Sequence, residues 1–405
     1  MNYSSNLSIV LLVVLASFLS KCSMVSKKEG KPDFISVDLE EAMKNERSVL
    51  LSELATDIRH VKLETREDVL INSRITGLAG PAIIPADGFL LINQNKAPLH
   101  VFDMDGKFIR KIGSIGRGPG EYSNNYYTVY CNDSRHIYIK NPYGKDIFDF
   151  DWEGNFVNKF STEADILNFQ YLGKGLFVGA LALYPPNDTL DYNYILFNDK
   201  GETMAKFTFG GNSIIDLAEK GSSMPQLYIL TPGLSVGENG INIDTKQNDT
   251  IFTVTEKGEM HYSLTWSKGQ YAPASPVFLT LASMEEAAEY YQIMAASETG
   301  RFWFISVMFR KSMGRIIVDK TDGTAYKATN ITNDLDGTVS ILPGMSSYSN
   351  QVIIMRDPLT LKKSAANLKS DTGKLILPER KKEYLEIIES LRDDDNPVVT
   401  IITFR

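Results

Sequence analysis

The sequence predicts an all-β ring of six four-stranded blades, a six-bladed β-propeller, and three observations carry that prediction. A phrase recurs along the chain: hydrophobic strand, glycine-bearing turn, hydrophobic strand. It is clearest at Leu99–Ile109 and Asp146–Val157, with weaker echoes at Tyr194–Glu202, Ile251–Glu259 and Arg315–Thr324. The turn glycines Gly106, Gly154, Gly201, Gly258 and Gly323 stand 48, 47, 57 and 65 residues apart, the period of one blade with growing insertions. A second series of tight polar turns runs in phase with the first, at Asp87-Gly88, Asn132–Arg135, Gly173–Gly175, Gly237–Gly240 and Glu298–Gly300. Gly, Asn and Asp recur there because such turns need positive φ or side-chain-to-backbone bonds. The third observation is at the end of the chain, where Pro397–Phe404 is a strongly β-branched strand with no partner strands around it in sequence.

Composition bounds the rest. With 405 residues, 43% hydrophobic and 23% charged, the chain is ordinary for a globular protein and long enough for one large ring. A formal net charge of −8 without a basic face excludes a nucleic-acid partner from the expectations.

From the N-terminus, Leu7–Leu19 is a 13-residue, mostly apolar run, too short for a bilayer span and right for the core of a signal peptide. Leu19-Ser20-Lys21-Cys22 follows and resembles a bacterial lipobox, in which the cysteine becomes residue one of the mature chain and carries lipid; the other reading is a plain secretory signal. Residues 1–21 are thus expected to be a signal peptide, 22–33 a lipid-anchored polar tether and 34–405 a single propeller domain. Export to the periplasm or the outer membrane, with the membrane reached through lipid on Cys22, follows from this reading. Cys131 is then the one remaining cysteine and is expected to be a buried, inert thiol without a disulfide.

Asp38-Leu39-Glu40-Glu41 reads as a capping box opening a short helix to about Asn45, and Asp57–Glu64 alternates as a half-buried strand. Five units start near residues 76, 126, 166, 226 and 288, and a sixth near Leu335 with first strands at Val339–Leu342 and Gln351–Met355. The sixth lacks its own closing pair. Pro378 to about Arg392 is a helix with Tyr384, Ile387, Ile388 and Leu391 on one face. The last blade is therefore expected to be completed by the Pro397–Phe404 strand and the early Asp57–Glu64 strand, which removes the open edge of the ring.

Three stretches carry a family resemblance: the lead-in from Phe34 to Thr65, the run Ile112–Tyr122 containing Gly116-Arg117-Gly118-Pro119-Gly120-Glu121-Tyr122, and the terminal Asn396-Pro397-Val398-Val399. The chain resembles the lipid-anchored six-bladed β-propeller proteins of gut-anaerobe envelopes, relatives of the NHL-repeat propellers. That resemblance covers the whole mature chain and implies fold and location, with little chemistry.

No catalytic constellation, metal site or cofactor is expected. Gly113–Gly120 lacks the Gly-Lys-Ser/Thr and following helix of a phosphate loop, so it reads as a crossover between blades, with Arg117 paired to Glu121. His60, His100, His136 and His261 fall on outer strands, third strands or beside turns rather than at the axis. Asp334/Asp336 and Asp393-Asp394-Asp395 read as solvated loop charge. The ligand-binding candidates are loop residues at crossovers and second-to-third strand connections: Asn95, Arg117, Tyr143, Tyr184, Lys246 and Arg310. They suggest a non-catalytic binding or scaffold module for a glycan, a peptide or a protein partner; the alternative is a lyase or hydrolase at the channel mouth.

Overall fold

In the computed structural model, each legible unit becomes a four-stranded antiparallel sheet. The structure describes residues 34–71, 83–94, 96–125, 127–141, 144–181, 190–209, 233–245, 248–273, 288–338, 347–348, 350–368 and 374–405. Blade one is β4 (Ile83–Ala86), β5 (Phe89–Ile92), β6 (Leu99–Asp103) and β7 (Phe108–Ile112); blade two is β10 (Tyr127–Cys131), β11 (His136–Lys140), β12 (Asp146–Phe150) and β13 (Phe156–Ser161). Blade three is β14 (Ile166–Gly173), β15 (Leu176–Leu181), β16 (Tyr194–Asn198) and β17 (Thr203–Phe207). Blade four is β18 (Gly233–Val236), β19 (Ile241–Asp244), β20 (Thr250–Val254) and β21 (Met260–Ser267), and blade five is β22 (Gln292–Glu298), β23 (Phe302–Phe309), β24 (Ser312–Asp319) and β25 (Ala325–Thr332).

Blade six closes the ring as expected from the chain ends. Its order is β26 (Ser347–Tyr348), β27 (Gln351–Arg356), β28 (Val398–Phe404) and β3 (Ala55–Lys62), with Val398 opposite Lys62 and Phe404 opposite Ala55. Val339–Leu342 lies outside the described residues; the first strand described in this blade is Ser347–Tyr348. Between β27 and β28 sit two helices, α3 (Pro358–Leu368) and α4 (Pro378–Ser390). Only α4 is foreseen by the sequence. It starts on Pro378, packs over β3 and buries Tyr384 completely.

The lead-in performs a task that its sequence does not advertise. β1 (Ile35–Asp38) adds in parallel to β21, and β2 (Glu46–Leu50) adds in parallel to β25, so blades four and five each gain a fifth strand on the outer edge. Between them, α1 (Leu39–Lys44) is capped by Asp38, whose side chain accepts the Glu41 N–H at 3.0 Å.

Among the described residues there is no single core. Six hydrophobic clusters fill the six seams between neighbouring blades, because both faces of every middle strand are covered. This is why β10 is buried along its whole length and Cys131 with it; burial pushes that thiol far up, as an inert cysteine requires. The recurrent glycines belong to the same seams. Gly106, Gly154 and Gly201 all have φ between +82° and +93°, and each turn lies on the fourth strand of the preceding blade. A Cβ at Gly154 would stand 2.8 Å from the Lys111 carbonyl oxygen, and at Gly106 and Gly201 it would run into those of Lys62 and Ser161. Gly258 meets only the Leu196 side chain and Gly323 meets nothing within 4 Å.

Two acidic segments are corrected by the structure. Asp336 is fully buried: its carboxylate meets His60 Nε2 at 2.7 Å and accepts from Asn333 and the Thr338 hydroxyl, while His60 Nδ1 meets the Thr400 hydroxyl at 3.0 Å. Asp395 has a side chain only 6% exposed and accepts the Arg392 N–H, with Lys62 Nζ at 3.1 Å. Both aspartates fasten blade six, the first through β3 and β28 and the second through the loop entering β28. Burial alone would raise Asp395, but its hydrogen bonds outweigh burial and bring it from an ordinary 3.8 to about 2. A folded-state pKa below the unfolded one gives stability that is full above the unfolded value and lost as pH falls through the folded value. Asp395 thus contributes about 2 kcal/mol at neutral pH, disappearing between about pH 4 and pH 2. Asp319, likewise at about 2 beside Arg301, and Asp336, lowered by the same balance, act in the same direction. The thermal midpoint is expected to fall across that window, and the fall to be shallower in Asp395→Asn; an equally steep fall in that variant would show that Asp395 does not contribute.

Candidate functional site

Within each blade the innermost strand runs from the crossover to the first turn, so the first turns collect around the axis at one end of the ring. Their backbones are built for sharp reversal. Asp87-Gly88 has φ of +43° and +82°, and Lys174-Gly175 has +54° and +73°, the both-positive pattern of a two-residue hairpin turn. Arg135, closing the Asn132–Arg135 turn, has φ +55°.

Side chains from the next blade brace these turns. The Tyr130 hydroxyl of blade two donates to Asp87 of blade one at 2.6 Å, and the Tyr171 hydroxyl of blade three donates to Asp133 of blade two, which also accepts the Lys174 N–H at 3.1 Å. Glu298 of blade five accepts from the Glu238 N–H at 3.3 Å and the Asn242 amide at 2.7 Å, both in blade four. Asn350 of blade six accepts the Gly300 N–H of blade five at 2.6 Å. Lys320 joins Glu298 at 2.8 Å to Glu238 at 2.9 Å. Burial, reinforced by the Asp87 carboxylate, pushes Tyr130 up to about 12, so its hydroxyl remains a donor at any ordinary pH. Burial would raise Asp133, but the Tyr171 hydroxyl and nearby N–H groups hold it below the ordinary value.

Inside this braced rim lies a cavity of about 890 Å³, within the roughly 300–1,000 Å³ range of small-molecule sites. It opens among the first turns of blades one to four, the start of blade six and the Thr255–Glu259 turn of blade four. Its charged side chains are largely spoken for. Lys174 pairs with Glu256 at 3.1 Å, Glu238 with Lys320, Asp87 with Tyr130, and Glu259 has His261 at 3.7 Å. Several neutral polar groups are not. Gln170 is only 7% exposed, and its amide has no hydrogen-bond partner among the described residues; the buried Thr255 hydroxyl and the Tyr348 hydroxyl are likewise unpaired there.

The residues singled out from sequence occupy the other end of the strands or fall outside the described residues. Asn95, Tyr143, Tyr184, Lys246 and Cys22 are in the second group. Arg117 stands exposed in the crossover from blade one to blade two, and its expected ion pair is not formed. Glu121 instead accepts the Gly118 N–H at 2.7 Å. That crossover is otherwise as read: β8 (Ser114–Ile115) and β9 (Glu121–Tyr122) pair in parallel, and the buried Tyr122 hydroxyl donates to Ile112 O at 2.6 Å and accepts the Leu99 N–H at 2.8 Å. Arg310 sits at the tip of the β23–β24 hairpin with Lys311, at φ +48° and +61°; its guanidinium lies 3.5 Å from Glu289 and over the Phe309 ring.

The histidines lie where the strand reading puts them, on β3, β6, β11 and β21. No group of three or more metal-ligating side chains occurs among the described residues. Sequence reasoning missed Gln170, Thr255 and Tyr348. Gln170 stands between Phe169 and Tyr171 on an innermost strand, the one signal that could have marked it; Tyr348, among Ser346, Ser347, Ser349 and Asn350, carries none.

Residues 34–403 match the family model described as a domain of unknown function, DUF4934. The fold is similar to that of a Bacteroides fragilis NCTC 9343 protein described as exported, with 17% identity over 92% of this chain and 99% of that one, at a TM-score of 0.66. A DUF4221 member from Bacteroides vulgatus ATCC 8482 shares 10% identity over 87% of this chain and 97% of that one, TM-score 0.48. Virginiamycin B lyase from Staphylococcus aureus shares 11% over 68% and 74%, TM-score 0.38. The last two likenesses are too distant to bear on function. No curated protein matches the sequence. Among the described residues, no helix is long and apolar enough to cross a membrane.

Proposed function

The chain belongs to the DUF4934 family, and from that footing we propose that it is an exported binding module that takes its ligand at the turn-side mouth of the propeller channel. The observation that carries this reading is the combination at the mouth of a rigid rim and unpaired polar groups. Inter-blade hydrogen bonds hold every turn of the rim described above, so a ligand meets a preformed surface and loses little to ordering it. The apolar signal run and the Leu19-Ser20-Lys21-Cys22 sequence support export and a lipid anchor at Cys22, with residues 22–33 as tether and 34–405 as an NHL-like propeller domain. Placement in the periplasm or at the outer membrane is part of the same proposal.

Hydrogen exchange with a panel of oligosaccharides and peptides tests it. A ligand from that panel should slow exchange in the turns at 87–88, 132–135, 173–175 and 237–240 and leave the 310–311 hairpin unchanged. Protection centred on the crossovers and the 310–311 hairpin would overturn the site, and conversion of the ligand to product would overturn the non-catalytic reading in favour of a lyase or hydrolase.

A further inference from the structure

We propose that the ligand of this mouth is a neutral, hydroxyl-rich molecule, the end of a glycan chain. The inference rests on the reading of the mouth as a binding site and goes on from it to chemistry. Among the described residues, the groups left unpaired there are the Gln170 amide and the Thr255 and Tyr348 hydroxyls. Each of them can both donate and accept. A sugar hydroxyl also does both, so it can meet Gln170 or Tyr348 in whichever role the group requires, without stranding a buried donor or acceptor; the Thr255 hydroxyl is itself closed to solvent.

The charges of the mouth point the same way by elimination. A cationic ligand would seek a carboxylate, but Asp87 holds the Tyr130 hydroxyl, Glu256 holds Lys174, and Glu238 holds Lys320. An anionic ligand would face Asp87, Glu238, Glu256 and Glu259 with only Lys174 and Lys257 to receive it, and Lys174 is already engaged. An ion finds a counter-charge without displacing a partner only on the Thr255–Glu259 turn, at Lys257 or at the exposed Glu259 beside His261; at the inner turns it must displace an existing partner before it gains one of its own. A neutral polyol displaces nothing. The cavity of about 890 Å³ takes more than one ring, and its openness to solvent suits a chain that continues outward.

All six core clusters lie within residues 35–405, so that stretch is a folding unit and can be used directly. Titration calorimetry would compare neutral trisaccharides of glucose, mannose, galactose and N-acetylglucosamine with trigalacturonate and trilysine. The expected result is binding of at least one neutral trisaccharide, weakened about 10- to 100-fold by Gln170→Leu, which removes one hydrogen-bond partner and leaves the shape of the site. The thermal midpoint of Gln170→Leu should not fall, because the amide has no partner to lose, so weaker binding cannot be put down to unfolding. Binding of trigalacturonate or trilysine alone, diminished by Gln170→Leu, would overturn the neutral class while leaving the mouth as the site. Neutral binding indifferent to Gln170→Leu, or no neutral binding at all, would overturn the inference. Protection from exchange by the bound sugar confined to the crossovers and the 310–311 hairpin would show instead that the site itself is misplaced.

Discussion

Gly106→Ala lowers the stability of the ring by about 2–5 kcal/mol, whereas Gly323→Ala, the same change at the equivalent turn of blade five, costs no more than about 1–2 kcal/mol. Both glycines have left-handed backbones, with φ of +83° and +77°, so both variants bear the strain of placing a Cβ there. Only at Gly106 does the new methyl run into a neighbour, the carbonyl of Lys62 at the end of β3. That strand is the one that closes the ring, and the contact is held by a hydrogen bond from the Glu64 N–H to Gly106 O at 2.7 Å. Relief demands that blade one draw away from blade six. For a domain of this size the midpoint moves by roughly 1–2 °C per kcal/mol, so a thermal scan should show about 4 °C for Gly106→Ala and clearly less for Gly323→Ala. Equal shifts would mean that backbone strain alone explains these glycines and that the close approach of the seams does not matter.

The second large effect is expected at a lysine. Lys140 ends β11 with no side-chain exposure; its ammonium lies 3.1 Å from Asp165 and 2.9 Å from Asn141 O, and 5.9 Å from the Tyr127 ring centroid. Asp165 opens blade three, and its second oxygen accepts the Gly144 N–H at 3.0 Å. The pair fastens blades two and three at the crossover end of the seam that Tyr171 and Asp133 fasten at the turn end. Burial pushes the Lys140 pKa down, and Asp165 offsets part of that. Lys140→Met leaves a carboxylate only 8% exposed without its counter-ion and should cost about 3–5 kcal/mol. Lys140→Met combined with Asp165→Leu should recover most of that loss, since replacing both charges leaves neither stranded. Denaturation of the single and double variants decides it. A double variant as unstable as the single one would place the effect in packing rather than in charge.

These two cases mark how far the sequence could be read. Gly106 is visible because a turn at positive φ favours glycine, and five turns between third and fourth strands repeat that preference along the chain. The pairing of Lys140 with Asp165 is invisible. The two residues are separated by two strands and a crossover, and nothing local distinguishes a lysine that ends a strand in solvent from one that ends it inside a seam. The same limit explains the acidic segments. Asp336 and Asp395 look like loop charge until β3, drawn from more than two hundred and seventy residues earlier in the chain, brings His60 and Lys62 to them.

The candidate site divides in the same way. Its turns were legible at Asp87-Gly88, Asn132–Arg135 and Gly173–Gly175, because their chemistry is local. Its cavity was not, because it exists only where turns from separate blades meet, and the loops richest in Tyr, Asn and Arg drew attention to the opposite end of the strands. Strand period, turn chemistry and the unpaired β-branched terminus by themselves determined the all-β class, the blade count and the closure of the last blade by both chain ends. Tertiary structure alone decided which polar residues are buried, which are paired, and at which end the unpaired ones gather. Hydrogen bonds and ion pairs across seams depend on distances between blades, which a local pattern of residues does not encode.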